Sequence, residues 1–330
     1  MTRKSGWGYG TRAALSAVLA VTAALSVLAG CSRPADRPRP ERPADRHTVA
    51  THPPGSVDLG RWITDFTDRI TPEGAYRVPA ARERRAVADG VRAFLDGDRP
   101  RAERSLATAG YTVRTLVDRD GGRRVAEIAD ATRDGEARRG WGRVYVDLRG
   151  PARWQVQVPH PAADLRTEQL GIGLLRGTPG GVMVLAGAHR NAGGGDEADV
   201  AHRRDSVFAA VSDALADREL PAVQVHGFAD QSLPDHDVVV STGNGSAGLS
   251  AARRLTGALR AEDLKVCEVW ERYCGRLEGR TNVEGDYAEA AGVPFLHVEH
   301  NRRVRMDDGL VAGAVRALSE VTRRWAAGRG

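Results

Sequence analysis

From Trp141 onward, short apolar runs alternate with helical patterns, and few folds accept that grammar. "RVYVDL" and "RWQVQVPH" alternate apolar and polar residues in strand fashion. "GVMVLAGAH", "PAVQVHGF", "DVVVSTGNG" and "VPFLHVEH" are short apolar runs, each ending in Gly or a polar residue. Between them, "DSVFAAVSDALADR" and "LSAARRLTGALRA" carry apolar residues at helical spacing. Brief apolar runs closed by turn residues are buried strands, and strands that alternate with helices build α/β domains. The prediction is an α/β fold, with a mixed, mostly parallel sheet flanked by helices over residues 141–330. In such sheets, active sites collect beyond the carboxyl ends of the strands. His160, His189 and His226 stand at strand ends, and Glu299 closes a late strand. The chain has no internal repeat, no Walker A loop and no well-placed G-x-G-x-x-G.

Residues 57–140 have a different pattern. "DLGRWITDFTDRI" places Leu59, Ile63, Phe66 and Ile70 three or four apart, an amphipathic stripe. "RRAVADGVRAFLDG" repeats it with Val87, Val91 and Leu95. "YTVRTLVDRDGGRRVAEIAD" holds two alternating runs around Asp120-Gly121, a hairpin signal. The expectation is a small helical and hairpin extension, with no constellation tied to chemistry.

The N-terminus carries a processing signal. Arg3, Lys4 and Arg12 precede a small, apolar stretch from Ala13 to Gly30, which ends in "LAGC" at Cys31. This resembles a bacterial lipoprotein signal peptide over residues 1–30. The run is short for a membrane span and rich in Ala and Ser, which suits cleavage better. A lipidated Cys31 would anchor the protein on the outer face of a membrane. Residues 31–56, with "RPADRPRPERPADR", alternate Pro and charge and bury little, so they are expected to form an extended tether. The remaining chain, about 270 residues, suits one large domain or a domain with an extension.

The formal net charge is +5, but Lys occurs only at positions 4 and 265, and acidic residues are interspersed with Arg throughout. That pattern fits a solvated surface, not a nucleic-acid partner. Arg-faced pockets would favour anionic, even polyanionic, substrates. With Cys31 assigned to the anchor, Cys267 and Cys274 remain of the three cysteines. Outside the cytoplasm an even remainder predicts a disulfide. A zinc pair is disfavoured, because C-x-x-C spacing is absent.

The stretch "VPHPAADLRTEQLG" from Val158 to Gly171 carries the strongest chemical signal. A catalytic zinc takes about three His or carboxylate ligands and keeps one position open. His160 and Asp164 share an ion if the loop between them curls. Thr167 is a suitable N-cap before Glu168, which leaves Asp164 in the loop. His226, followed by a glycine that permits close approach, is the third candidate. His189, His202 and Glu168 compete with this set. His202 and Asp205, in "DVAHRRDSVF", are candidate partners behind the ligands or simply a helix start. The bland alternative for each histidine is a hydrogen-bonded structural residue.

The same stretch resembles the first motif of the phage-type zinc-dependent poly-gamma-glutamate hydrolases, relatives of the zinc carboxypeptidases. "VQVHGF" is similar to their later strand followed by His-Gly, and "RTNVEGDYAEAAGVPFLHVEHNRRVR" to their closing segment. The resemblance covers Trp141 to Val311. It implies a zinc carboxypeptidase-like fold, with His160, Asp164 and His226 as Zn2+ ligands and Glu299 as general base. Glu168 is the alternative carboxylate. It also implies an Arg that holds an oxyanion or a substrate carboxylate, for which Arg190 and Arg305 are candidates, and places Asn282 near the substrate.

The expected function is therefore zinc-dependent hydrolysis of an amide or peptide bond, γ-glutamyl or cell-wall in type, outside the cytoplasm. The rival is a lipoprotein that binds a ligand in the same cleft without catalysis. "STGNGSAG" lacks the G-x-S-x-G elbow of a serine hydrolase.

Overall fold

The computed structural model describes residues 55–328. The signal peptide, most of the tether and Cys31 lie outside the described residues. In chain order the elements are β1 (Gly55–Val57), α1 (Leu59–Thr67), α2 (Ala81–Leu95), α3 (Arg99–Thr108), β2 (Tyr111–Asp118), β3 (Arg124–Asp130), α4 (Gly135–Arg139), β4 (Arg143–Asp147), β5 (Trp154–Val158) and α5 (Thr167–Gly177). They continue with β6 (Gly181–Leu185), α6 (Val207–Ala216), β7 (Ala222–Phe228), β8 (Val238–Ser241), α7 (Leu249–Ala261), β9 (Val266–Glu268), α8 (Val283–Ala290), β10 (Phe295–Asn301), α9 (Arg302–Met306) and α10 (Asp308–Ala326). Among the described residues, no helix is long and apolar enough to cross a membrane.

All the strands join one sheet of order β1-β2-β3-β4-β6-β5-β7-β10-β8-β9. The central run β6-β5-β7-β10 is parallel throughout. Antiparallel pairings flank it, at β4 with β6 and at β10 with β8. This is the predicted mixed, mostly parallel α/β sheet. The β2–β3 hairpin forms around Asp120-Gly121 as expected, and β3 then pairs with β4. Residues 57–140 thus extend the same sheet. Gly55 and Ser56, assigned to the tether, already pair in β1.

Strand alternation sends two different surfaces to the two faces of the sheet. On one face Trp154, Val156, Val158, Val223, Val225, Leu296 and Val298 form a continuous apolar core with helices α1, α5, α7 and α10. On the other face, β3, β4 and β6 pack apolar residues against α2, α3 and α6. The central strands present polar residues there: Gln155 and Gln157 on β5, Gln224 and His226 on β7, His297 and Glu299 on β10, all buried. The register pairs Gln157 with Gln224, and His226 with Glu299. A buried polar file therefore crosses the middle of the sheet and ends at the strand termini.

One local expectation fails. Thr167 does not cap α5. It is the first helical residue, and the cap position is Arg166 in a left-handed conformation. Leu165 and Arg166 both have positive φ, 35° and 65°. Such residues cost on the order of 1–3 kcal/mol each unless their surroundings hold them. The sharp turn they make lets Asp164 fold back toward the end of β5.

Candidate metal centre

The loop after β5 curls as the spacing required. The Asp164 amide donates to His160 O at 2.8 Å, closing one turn. Asp164 Oδ2 then lies 3.5 Å from His160 Nδ1 and 3.3 Å from His226 Nδ1. The two rings meet edge to face, with centroids 5.2 Å apart. One ligand atom from each of His160, Asp164 and His226 lies within 4.8 Å of the others, and all three residues are buried.

The outer ring nitrogens are occupied. His160 Nε2 lies 2.8 Å from Asp199 Oδ1, and His226 Nε2 lies 2.6 Å from Gln224 Oε1. His160 Nδ1 is buried without a hydrogen-bond partner among the described residues. A metal-binding histidine needs one nitrogen held and the other free toward the ion. Two nitrogens and a carboxylate oxygen form a donor set that suits zinc with a position left open. The residues present fit the metal.

Charge in this cluster is strongly perturbed. Burial disfavours the charged form of His160, but Asp164 and Asp199 outweigh it and raise the pKa to about 9. Burial, with the neighbouring His297 ring, lowers His226 to about 4. Burial alone would raise Asp164 and Asp199. The neighbouring histidine rings instead hold both carboxylates well below the usual range.

Backbone and side chain together fix the turn. Gly227 N donates to Asp164 Oδ2 at 3.1 Å. A Cβ on Gly227 would stand 2.4 Å from Arg305 Cζ and 2.7 Å from Asp164 O, so this close approach requires glycine. Arg305 is buried against the backbone of this turn. Its guanidinium donates to His300 O, Leu165 O and Phe228 O, at 3.0, 2.5 and 3.0 Å. It clamps the strained turn to the ends of β7 and β10, which engages three of its five N–H donors on backbone.

Arg190 bonds to Asp199, as does His202 at 3.1 Å. Asp199 thus gathers Arg190, His202 and His160 into one cluster. Asp205 pairs with Arg203 instead. Asn282 also departs from expectation. It is buried, caps α8 by accepting from Gly285 N at 2.9 Å, and donates to Gln224 Oε1. Glu168 is buried on α5, where its Oε1 accepts from Gln169 Nε2, and it does not join the His–Asp–His group. His189 lies in the loop after β6, where its Nδ1 accepts from Asn191 N at 3.2 Å.

Glu299 stands beside His226 on the neighbouring strand, facing the same way. Its Oε1 is 3.4 Å from His297 Nε2, and its Oε2 is buried with no hydrogen-bond partner among the described residues. The His297 ring lies 4.4 Å from the His226 ring, and the Gly279 backbone packs against it. The Cys267–Cys274 disulfide is formed, with an S–S distance of 2.02 Å.

Two cavities adjoin the 57–140 segment, and the second borders the 160–166 loop. One of about 410 Å³ is lined by His189, Ala188 and, from the 57–140 segment, Phe66, Ile70 and Glu136. The other, about 630 Å³, is lined by Pro161, Leu165 and Glu168, with Thr64 and Asp68. The N-terminal segment therefore walls the second cavity, on one side of this loop.

Sequence reasoning missed Asp199, Gln224 and Glu284. "VQVHGF" did hold a signal for Gln224, because residues two apart on a strand share a face. Asp199 precedes His202 by one turn, but nothing in its glycine-rich surroundings singles it out.

No protein-family model and no curated protein matches the chain. Solved structures show distant likeness. The chain is similar to a bacteriophage poly-gamma-glutamate hydrolase, at 13% identity over 56% of this chain and 90% of that one, TM-score 0.40. It is similar to a metallo-carboxypeptidase from Pseudomonas aeruginosa at 15% identity over 56% of this chain, TM-score 0.37, and spans only 60% of that protein's length. An aspartoacylase family protein from Mesorhizobium loti matches at 11% identity over 63% of this chain and 70% of that one, TM-score 0.36. At these scores the overlap is partial, and the chemistry of the site is read from its own atoms.

Proposed function

We propose that the protein is a zinc-dependent hydrolase of amide bonds, acting on a γ-glutamyl or cell-wall peptide outside the cytoplasm, from a lipid anchor at Cys31. One observation carries the reading. His160 Nδ1 and His226 Nδ1 converge on Asp164 Oδ2, while Asp199 and Gln224 hold the opposite ring nitrogens.

His160, Asp164 and His226 would hold the metal. Zinc there supplies Lewis acidity and lowers the pKa of a bound water toward 7. Glu299 would take the proton of the attacking water at its unpartnered Oε2 and return it to the leaving amine. His297, 3.4 Å from Oε1, steadies that carboxylate. Asp199 fixes the ring of His160, and Arg190 neutralises Asp199. Arg305 holds the ligand turn in place. The walls from residues 57–140 would limit which substrates reach the loop.

Two features support the extracytoplasmic setting. The sequence carries "LAGC" after an apolar run, and the remaining cysteines are paired, which suits an oxidising compartment. Elemental analysis of the purified protein, followed by assays on poly-γ-glutamate, γ-glutamyl dipeptides and peptidoglycan stem peptides, tests the reading. About one zinc per chain and amide hydrolysis abolished by chelation are expected. A stable protein that binds no metal and hydrolyses none of these would leave the ligand-binding lipoprotein as the better account.

A further inference from the structure

Three glutamines lie behind the candidate metal centre, fully within the protein, and every polar atom of their amides has a partner. Their hydrogen bonds have a direction, which can be derived from one end. Leu220 O is a backbone carbonyl and can only accept. Gln155 must therefore turn its Nε2 toward it, at 3.0 Å. Gln155 Oε1 then accepts from Gln157 Nε2 at 2.8 Å, and Gln157 Oε1 accepts from Gln224 Nε2 at 2.9 Å. The same Gln224 nitrogen donates to Glu284 Oε2 at 3.2 Å. Both amide hydrogens of Gln224 are then used, and its Oε1 faces His226 Nε2 at 2.6 Å.

A second anchor gives the same direction independently. Asn282 Oδ1 caps α8 by accepting from Gly285 N, so Asn282 Nδ2 is the group that faces Gln224. A donor there requires an acceptor, again Gln224 Oε1. An acceptor opposite His226 Nε2 requires that this nitrogen carry the proton. A neutral imidazole has only one ring proton, so Nδ1 keeps its lone pair, and Nδ1 is the atom 3.3 Å from Asp164 Oδ2.

We propose that the Gln155–Gln157–Gln224 ladder, anchored at Leu220 O and Asn282, sets the Nε2–H tautomer of His226 and so presents Nδ1 as a ligand before any metal binds. Gln224 is a positioning residue, acting through His226. The tautomer follows from the hydrogen bonds alone; its consequence for zinc rests on the function proposed above. Space-filling alone would ask only for side chains of the right volume in this layer, whereas the ladder asks for amides turned one way.

The test uses the full chain, metal-free and labelled with ¹⁵N-histidine, with His226 assigned by the signal lost in His226→Gln. Two-bond ¹⁵N–¹H correlations at neutral pH should show His226 protonated at Nε2. Gln224→Met keeps length and volume but removes the acceptor, and should move the proton toward Nδ1, where Asp164 accepts it. Asn282→Asp retains the helix cap but sets an acceptor against Gln224 Oε1, and should shift the tautomer the same way without a change in volume. Zinc affinity, measured by competition with a chromophoric chelator, should fall about 10- to 100-fold in both variants. A wild-type His226 protonated at Nδ1 overturns the proposal, as does an Nε2–H tautomer unchanged in every variant that folds. If the tautomers behave as expected but the wild type binds no zinc, the ladder stands and the metal reading fails.

Discussion

His226 Nδ1 stands 3.3 Å from Asp164 Oδ2, and the amide of the next residue, Gly227, donates to that same oxygen at 3.1 Å. The backbone of one strand end thus grips one carboxylate from a distant loop, beside the ring nitrogen that would share a metal with it. The grip explains why the loop tolerates two left-handed non-glycine residues, since Arg305 secures its other side at Leu165 O. It also identifies the substitutions most informative about the site.

Alanine at His160, Asp164 or His226 should each lower zinc affinity by more than about 100-fold, because partners that merely orient a ligand already cost about 10- to 100-fold. Glu168→Ala should leave zinc content near wild type, since Glu168 lies outside the convergent group. Metal stoichiometry after dialysis checks both. Zinc lost in Glu168→Ala but retained in Asp164→Ala would reverse the choice of carboxylate.

Gly227→Ala should cost about 1–3 kcal/mol, the usual range for forcing an extra methyl into a packed site. The new Cβ meets Arg305 and Asp164 O at less than 3 Å. Denaturant unfolding of the metal-free protein measures the loss, and zinc affinity should fall with it. Full stability with full zinc affinity would show that the strand and loop need not approach so closely.

Arg305→Met separates a structural clamp from a substrate-binding arginine. Three backbone carbonyls would lose their donor. Each buried group left unsatisfied costs about 1–3 kcal/mol, so the variant should unfold at clearly lower denaturant. An unchanged unfolding midpoint with a raised KM would return Arg305 to the substrate.

Much of this was legible in the sequence because it is local. The strand runs, the α1 stripe and the Asp120-Gly121 hairpin follow from periodicity and turn chemistry. That His160, Asp164 and His226 come together was legible from their strand-end and loop positions and from the resemblance. The placement of residues 57–140 in the same sheet was not, because pairing β3 with β4 and β4 with β6 is a long-range choice with no local period. For Arg305 and Asn282 the resemblance implies a place near the substrate. In the structure Asn282 bonds to Gln224 and Gly285, and Arg305 donates to three backbone carbonyls, which are long-range contacts with no local signal. Thr167 failed as a cap because the turn before it is dictated by Asp164, not by helix chemistry.

Glu284 makes stability depend on pH in a defined direction. Burial raises its pKa from 4.5 to about 8. Between those values the folded state holds a proton that the unfolded state has released. Its contribution is fully present below pH 4.5 and is lost as pH rises through 8. Glu284→Gln stays neutral and lacks this loss. The stability of the variant relative to wild type, both metal-free, should therefore rise between pH 5 and pH 8, by at most about 1.4 kcal/mol per pH unit. Melting temperatures across that interval provide the check, and parallel curves for the two proteins would place an ionised Glu284 in the fold.

Glu299 separates mechanism from metal binding. It faces the same way as His226 across the β7–β10 register, and its Oε2 is buried without a partner among the described residues. Burying a carboxylate oxygen unsatisfied is unfavourable, and such an atom at a strand end suits a group that meets a water or substrate proton. Glu299→Gln preserves size, but it cannot take up a proton. Loss of a general base typically costs on the order of 10²- to 10⁴-fold in rate. Zinc content should hold, because Glu299 lies outside the proposed ligand set of His160, Asp164 and His226. Melting temperature should hold or rise, because an amide is easier to bury than a carboxylate. The three measurements belong on one preparation. Turnover near wild type would remove Glu299 from the reaction. Loss of zinc together with turnover would make it a ligand, and Asp164 would then act chiefly as the carboxylate that holds His160 and His226 together.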